Sequence, residues 1–195
     1  MEKGLQAMTV DEIAEKAELS KPTLYAYFEN KHEIHTAIML RAIKKVTAVY
    51  KKAEAGTDSG FDEVKKKLAG LFSLVGEYPV YLRAFLEYSD QPTAALEQPE
   101  SQVTRDFYRT LDLNLSLLAE AIERGKKDGS CRPELDTWKT VLIIDAAVFG
   151  VIKFVADPAR KTELEIKLNF NDKELIDCFY KFLEYALCPD SKDCA

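Results

Sequence analysis

The sequence of 195 residues predicts an all-α protein, with an N-terminal helix-turn-helix domain of the three-helix type followed by a larger C-terminal helical bundle. Three observations predict it. Apolar residues recur at spacings of three and four along almost the whole chain, as a 3.6-residue period with one buried face requires. Runs of alternating β-branched residues are scarce, and with only 8 Gly and 7 Pro there is little turn chemistry for hairpins. Two capping-box signatures, Thr9-Val-Asp-Glu12 and Asn171-Asp-Lys-Glu174, mark helix starts near the two ends of the chain.

Taken in order, the first clear helix begins at Thr9, with Met8 and Ile13 as its hydrophobic staple and Val10, Ile13, Ala14 and Ala17 on one face. Glu18-Leu19 breaks it. Ser20 caps a second helix, which tolerates Pro22 in its first turn and ends near Phe28. Asn30-Lys31-His32-Glu33 opens a third, longer helix towards Glu54, with Ile34, Ile38, Ala42 and Val49 on its buried side. The Gly/Ser-rich stretch Ala55 to Gly60 is the best boundary, dividing the chain into domains 1–54 and 55–195. Helices follow at about 61–77 and 79–89, then a loop through Pro92 and Pro99. A long helix spans about 101–127, closed by Gly125 and Gly129. Asp136 caps the next, which reaches about Ala156 before Pro158. The last starts at Asn171, stapled by Phe170 and Leu175, and ends near Leu187.

Composition sets the class. Hydrophobic residues make up 47% and charged residues 31%, an ordinary balance for a globular chain. Residues 1–20 carry acids and lack the apolar core of a secretory signal. The longest apolar stretch, Val141 to Ala156, is too short for a membrane span and holds Asp145 and Lys153. The expectation is a cytoplasmic protein with no membrane partner. Cys131, Cys178, Cys188 and Cys194 form no Cys-x-x-Cys and have no His nearby, so no metal site and no cofactor are expected, only reduced thiols. The net charge is −6, but residues 1–52 alone carry nine Lys/Arg against seven Asp/Glu. That asymmetry permits a DNA-facing end.

Two short helices joined by a tight turn match the layout of a DNA-reading helix-turn-helix, although a plain helical hairpin shares the spacing. The second helix discriminates. At about 100° per residue, Leu24 and Phe28 point inward, while Pro22, Thr23 and Ala26 point outward between Tyr25 and Tyr27. That outer face has no large aliphatic group and no acid, as entry into a major groove requires. Pro22, Ala26 and the Thr23 methyl suit thymine methyls, and the Thr23 hydroxyl suits a base edge or phosphate. Lys21 and the two tyrosines reach for phosphates on the groove walls, which sets register more than sequence. Lys31 and Thr9, at the starts of their helices, suit phosphates too.

Thr9 through Ala17, then Leu19-Ser-Lys-Pro-Thr-Leu-Tyr-Ala-Tyr-Phe28 and Asn30-Lys31, resemble the signature of the TetR (AcrR-like) family of transcriptional regulators over about 25 residues. The resemblance implies a TetR-like fold in which Ser20, Lys21, Pro22, Thr23, Tyr25, Tyr27 and Lys31 line double-stranded operator DNA. It also implies a repressor whose body binds a small-molecule effector and dimerises through its last two helices. Two departures stand out. Glu18 occupies the turn position where the family usually has Gly, so a residue with a Cβ must adopt that conformation. The family also carries an amphipathic helix ahead of the position of Glu2-Lys3-Gly4. Native residues are therefore expected before Met1, and without them Leu5, Ile13 and Phe28 would lose cover worth roughly 1.5–3 kcal/mol each.

In the body, Phe85, Tyr88, Phe107, Tyr108, Trp138 and Phe149 either build an ordinary helical core or, together, line a pocket for an apolar or aromatic ligand. Asp145, set inside Val141 to Phe149, either anchors a cationic or hydrogen-bonding ligand or pairs with a neighbouring helix, since a lone buried carboxylate is costly. Leu175, Ile176, Phe179, Phe182, Leu183, Ala186 and Leu187 make the last helix broadly apolar, more so than one partner helix can cover, which fits a homodimer seam. No nucleophile–base arrangement and no phosphate loop is visible, so no catalytic residues are expected. The competing reading is a helical ligand-binding or interaction dimer that no longer reads DNA.

Overall fold

The computed structural model describes residues 8–78, 101–156, 167 and 171–189. Among them are seven helices and no strand: α1 (Val10–Lys16), α2 (Lys21–Tyr27), α3 (Lys31–Ala53), α4 (Gly60–Glu77), α5 (Gln102–Asp128), α6 (Thr137–Ala156) and α7 (Asp172–Leu187). The helix expected at 79–89 lies outside the described residues, as do Leu5, Phe170 and Cys194. The chain splits into two compact units, Met1–Lys45 with Glu77–Asp112 and Val46–Gly76 with Leu113–Ala195.

In the first unit, the expected capping box closes α1. The Glu12 N–H donates to Thr9 Oγ1 at 3.2 Å and the Thr9 N–H to Glu12 Oε2 at 2.6 Å. The helix then ends in a Schellman turn: Leu19 N–H reaches Ala14 O at 2.9 Å and Glu18 N–H reaches Glu15 O at 3.0 Å. That geometry needs a left-handed residue after the cap, and Glu18 supplies it with φ of 56°. An L-residue there is strained by roughly 1–2 kcal/mol relative to glycine, partly offset by the lower chain entropy of unfolded Glu. Glu18→Gly is therefore expected to stabilise the protein by about 0.5–1 kcal/mol. Thermal melts check this, and an unchanged or lower Tm speaks against the strain.

Ser20 caps α2 by accepting the Thr23 N–H at 3.2 Å, and Asn30 caps α3 by accepting the Glu33 N–H at 2.9 Å. Ile13, Ala14, Leu24 and Ile34 bury a small core joining the three helices, with Met8, Val10, Phe28 and Ile38 packed against it. Ile13, expected to lose cover, is buried, and Phe28 is half-buried. A second cluster joins α3 to the start of α5 through Met39, Leu40, Ile43 and Phe107.

In the second unit, α4 starts hard against the end of α5. A Cβ at Gly60 would collide with the backbone of Gly125, so this crossing admits only glycine at position 60. The free N–H groups of α4 are met from the end of α5 and the residues after it: Gly60 N–H donates to Asp128 Oδ2 at 2.7 Å and Phe61 N–H to Ser130 Oγ at 3.1 Å. Gly125 does not close the long helix, as the sequence suggests, but lies within it at that crossing. Gly129, with φ of 81°, follows the last helical residue. α7 is stopped by Arg132, whose N–H and guanidinium donate to the carbonyls of Leu187, Cys188 and Tyr185 at 2.7–3.0 Å. A cation is favoured at that end of the helix dipole.

A buried ionic network ties these helices. The Lys67 side chain is 0% exposed; its ammonium meets Glu63 Oε1 at 3.0 Å, Glu54 Oε1 at 3.4 Å and donates to the Tyr50 carbonyl at 3.1 Å. Arg124 reaches Glu63 Oε2 at 3.1 Å and Thr57 Oγ1 at 2.8 Å. One network thus joins α3, the following loop, α4 and α5.

Candidate nucleic-acid interface

The two helices of the turn motif are short, so their orientation rests on the core beneath them rather than on their own length. Leu24 is the only fully buried side chain of α2. Lys21, Pro22, Tyr25, Ala26 and Tyr27 are all exposed, Tyr27 at 75%. Thr23 is half-buried, and its hydroxyl lies 2.7 Å from Ser20 Oγ within the cap. The outer face of α2 therefore presents the small and aromatic residues expected of it. Thr9 is exposed at the start of α1, where its hydroxyl accepts the Glu12 N–H while keeping its own proton to donate. Lys31 is half-buried at the first position of α3.

One residue escapes the sequence reading. Lys21 donates to Asp11 Oδ2 at 2.9 Å, from the second position of α1. The hydrogen bond and charge of Asp11 raise the Lys21 pKa. Both side chains are largely solvent-exposed, so the pair adds little stability and a phosphate can compete for the ammonium. Ten residues separate the two, and no helical period would have paired them.

The candidate ligand residues that are described fall in both units. Phe107 is core in the first unit, and Tyr108 is exposed with its ring edge-on to Phe107 at 5.3 Å. Trp138, Asp145 and Phe149 belong to the second unit. Trp138 is 55% exposed, whereas Asp145 and Phe149 are half-buried. Phe85 and Tyr88 lie outside the described residues. Trp138 shares the open side of α6 with Leu142 and Ile143, and α7 leaves Phe182 and Tyr185 exposed while burying Phe179, Leu183 and Leu187. Among the described residues, no group of three His, Cys, Asp or Glu could hold a metal ion, and no helix is long and apolar enough to cross a membrane. The Cys131 thiol is buried and its pKa is pushed up to about 11 by that burial, which keeps it protonated and unreactive.

Asp145 is where the chemistry departs from ordinary core. Burial raises its carboxyl from 3.8 to about 6, and no hydrogen bond or ion pair to it occurs among the described residues. The folded state therefore holds this proton more tightly than the unfolded chain. The penalty for ionising Asp145 is absent below the unfolded value and complete above the folded one, so stability falls as pH rises between them. Asp145→Asn is expected to stabilise the protein by about 1–2 kcal/mol near pH 8, after discounting for solvent screening, and by little near pH 4. Chemical denaturation at the two pH values checks this; an equal gain at both contradicts the assignment.

Residues 1–38 match the family model described as "Bacterial regulatory proteins, tetR family". An uncharacterized HTH-type transcriptional regulator of Bacillus subtilis, YhgD, is 24% identical over 149 residues, covering 75% of this chain and 74% of that protein. Among solved structures, the ketosteroid transcriptional regulator KstR2 of Mycobacterium tuberculosis superposes with a TM-score of 0.70 at 14% identity, over 96% of this chain and 88% of that one. AibR, solved with isovaleryl coenzyme A and operator DNA, gives 0.67 at 14% identity, over 91% and 88% of the two chains. At such identities the structural likeness concerns the fold.

Proposed function

We propose that this chain, a DNA-binding transcriptional regulator with the helix-turn-helix of the TetR family, is a cytoplasmic repressor that a small molecule releases from its operator. The observation that carries the reading is the outer face of α2. Its exposed Lys21, Pro22, Tyr25, Ala26 and Tyr27 include no acid and no large aliphatic group, and a buried Leu24 holds the helix from behind. In this reading Pro22, Ala26 and Thr23 meet base edges, while Thr9, Ser20, Lys21, Tyr25, Tyr27 and Lys31 meet phosphates.

The functional division is a DNA-reading part over 1–54 and an effector and dimerisation part over 55–195. The exposed Trp138, Leu142 and Ile143 of α6 with Phe182 and Tyr185 of α7 support a homodimer through these two helices, since a monomer rarely leaves such residues grouped in water. Two copies then present two reading helices to successive half-sites. The effector acts if it binds more tightly to the spacing of those helices that does not fit the operator. AibR, with its acyl coenzyme A and operator DNA, supports the pairing of the two kinds of ligand on this fold.

The test is a gel shift with the full chain on the DNA flanking its own gene, over a salt series. Specific retardation that weakens steeply with salt is expected. Binding that is equal on unrelated DNA, or absent throughout, sinks the reading.

A further inference from the structure

Residues 34–53 of α3 hold five Lys/Arg and no Asp/Glu, in a chain whose net charge is −6. At about 100° per residue, Arg41, Lys44, Lys45, Lys51 and Lys52 all fall within a sector of about 120°, opposite the buried Met39, Ile43 and Tyr50. Arg41, Lys44, Lys51 and Lys52 are exposed, and Lys45 is half-buried with its ammonium 4.1 Å from the centre of the Tyr78 ring. Among the described residues, no acid pairs with any of the five. Elsewhere the chain pairs its cations: Lys66 with Asp62, Lys67 and Arg124 with Glu63, Lys126 with Glu123 and Lys139 with Asp136.

A charged helix face is ordinarily just a solvated one, and the helix dipole accounts for Lys51 and Lys52 in the last turn of α3. It does not account for Arg41, Lys44 and Lys45, because that effect fades within one turn. Arg41 stands three and four residues before Lys44 and Lys45, spacings at which like charges repel and weaken a helix. An acid at either spacing would stabilise α3 instead. The stripe also lacks what a protein partner needs: its exposed residues are lysines, an arginine and Ala48, and lysine is depleted at protein interfaces. A row of unpaired cations along one helix is the electrostatic footprint of a nucleic acid. From Arg41 to Lys52 the helix rises about 17 Å, close to the rise of five nucleotides along one DNA strand. The same helix begins at Lys31, already a candidate phosphate contact.

We propose that this face of α3 is a second, sequence-independent DNA surface, which holds the duplex by its phosphates while the outer face of α2 reads base edges. The assignment rests on the reading of the chain as a DNA-binding regulator, and it names where the non-specific part of that affinity arises. Arg41, Lys44, Lys51 and Lys52 supply the contacts, and Lys45, held against Tyr78, adds to their field. Each phosphate contact releases a counterion, so the affinity it brings is lost steeply as salt rises.

The test follows the full chain on a mixed-sequence duplex of about 30 base pairs by fluorescence anisotropy, over about 50–200 mM salt. One variant combines Arg41→Gln, Lys44→Gln and Lys51→Gln. A control combines Lys66→Gln, Lys127→Gln and Lys173→Gln, exposed lysines elsewhere whose loss changes the net charge equally. The stripe variant is expected to bind at least about tenfold more weakly, with the slope of log affinity against log salt reduced by about 2–3, roughly 0.9 per lost contact. The control is expected to keep the parent slope within about 0.5. A third variant, Arg41→Lys with Lys44→Arg and Lys51→Arg, keeps the charge and is expected to match the parent, which separates lost phosphate contacts from a disturbed helix. The assignment is overturned if the stripe variant keeps the parent slope, if the control falls as far, or if the charge-keeping variant fails like the glutamine one. Tighter binding of polyglutamate than of the duplex overturns it as well, in favour of an acidic protein. Specific operator retardation with an unaltered slope removes this assignment and leaves the regulator; stripe-dependent binding to the mixed duplex without operator preference does the reverse.

Discussion

Tyr25→Ala is expected to weaken operator binding by about 100-fold while leaving the oligomeric state and Tm unchanged. The Tyr25 side chain is 44% exposed on the flank of α2 and belongs to neither buried cluster of the first unit, so its removal opens no cavity there. On the proposed reading its loss is felt at the DNA. A hydrogen bond to a charged phosphate is worth roughly 1.5–3 kcal/mol, and the proposed two-fold complex would lose it twice, so about 100-fold is the low end of the expected loss. Thr23→Ala is expected to cost less, because its hydroxyl already shares a bond with Ser20 Oγ, but to relax the preference at one base position. Gel shifts on the same operator, with size-exclusion chromatography alongside, separate the outcomes. A variant that falls apart as a dimer would place Tyr25 in the fold rather than at the DNA. Leu24→Ala is the contrast: that side chain is buried, so its loss shows first in stability.

Lys67→Met is expected to destabilise the protein by about 3 kcal/mol, the low end of the range for breaking a buried ion pair. Methionine fills similar volume, so the cost comes from charge. Glu63, 7% exposed at its side chain, would keep its carboxylate without the ammonium 3.0 Å away. Arg124, at 3.1 Å from the other oxygen, compensates in part, which is why the low end applies. The Tyr50 carbonyl and Glu54 lose a donor too. Pairing the change with Glu63→Gln is expected to recover part of the loss, since the stranded charge goes with it. Urea denaturation measures both, and a single variant within about 0.5 kcal/mol of the parent would mean the network does not hold the helices.

The readable parts of this protein are those whose partners lie three or four residues apart. Thr9 and Glu12, Asn171 and Glu174, and Ser20 with Thr23 close hydrogen bonds within a single turn, so their spacing is visible in the chain and reappears in the structure. The outer face of α2 is legible for the same reason, because burial of Leu24 sets the angle of every neighbour on a helix of known period. Even the left-handed Glu18 follows from its place after the cap of α1.

Asp11 beside Lys21 was not legible, because it depends on how α1 crosses α2. The aromatic candidates illustrate the same limit on a larger scale. Period alone made Phe107, Tyr108 and Trp138 alike, whereas packing buries the first and leaves the other two exposed. Asp145 was conspicuous as an acid in an apolar run, but the burial that raises its carboxyl to about 6 comes from packing that the run itself does not show.

Helix positions, their caps and the chemistry of the α2 surface are thus local properties, settled by hydrogen bonds and side-chain periods that any short stretch of the chain carries with it. Gly60 against Gly125, the buried Lys67 with Glu63 and Arg124, and the raised carboxyl of Asp145 arise only when helices distant in the chain are packed together. Close packing and burial depend on every neighbour at once, and a helical period carries no information about which neighbour arrives.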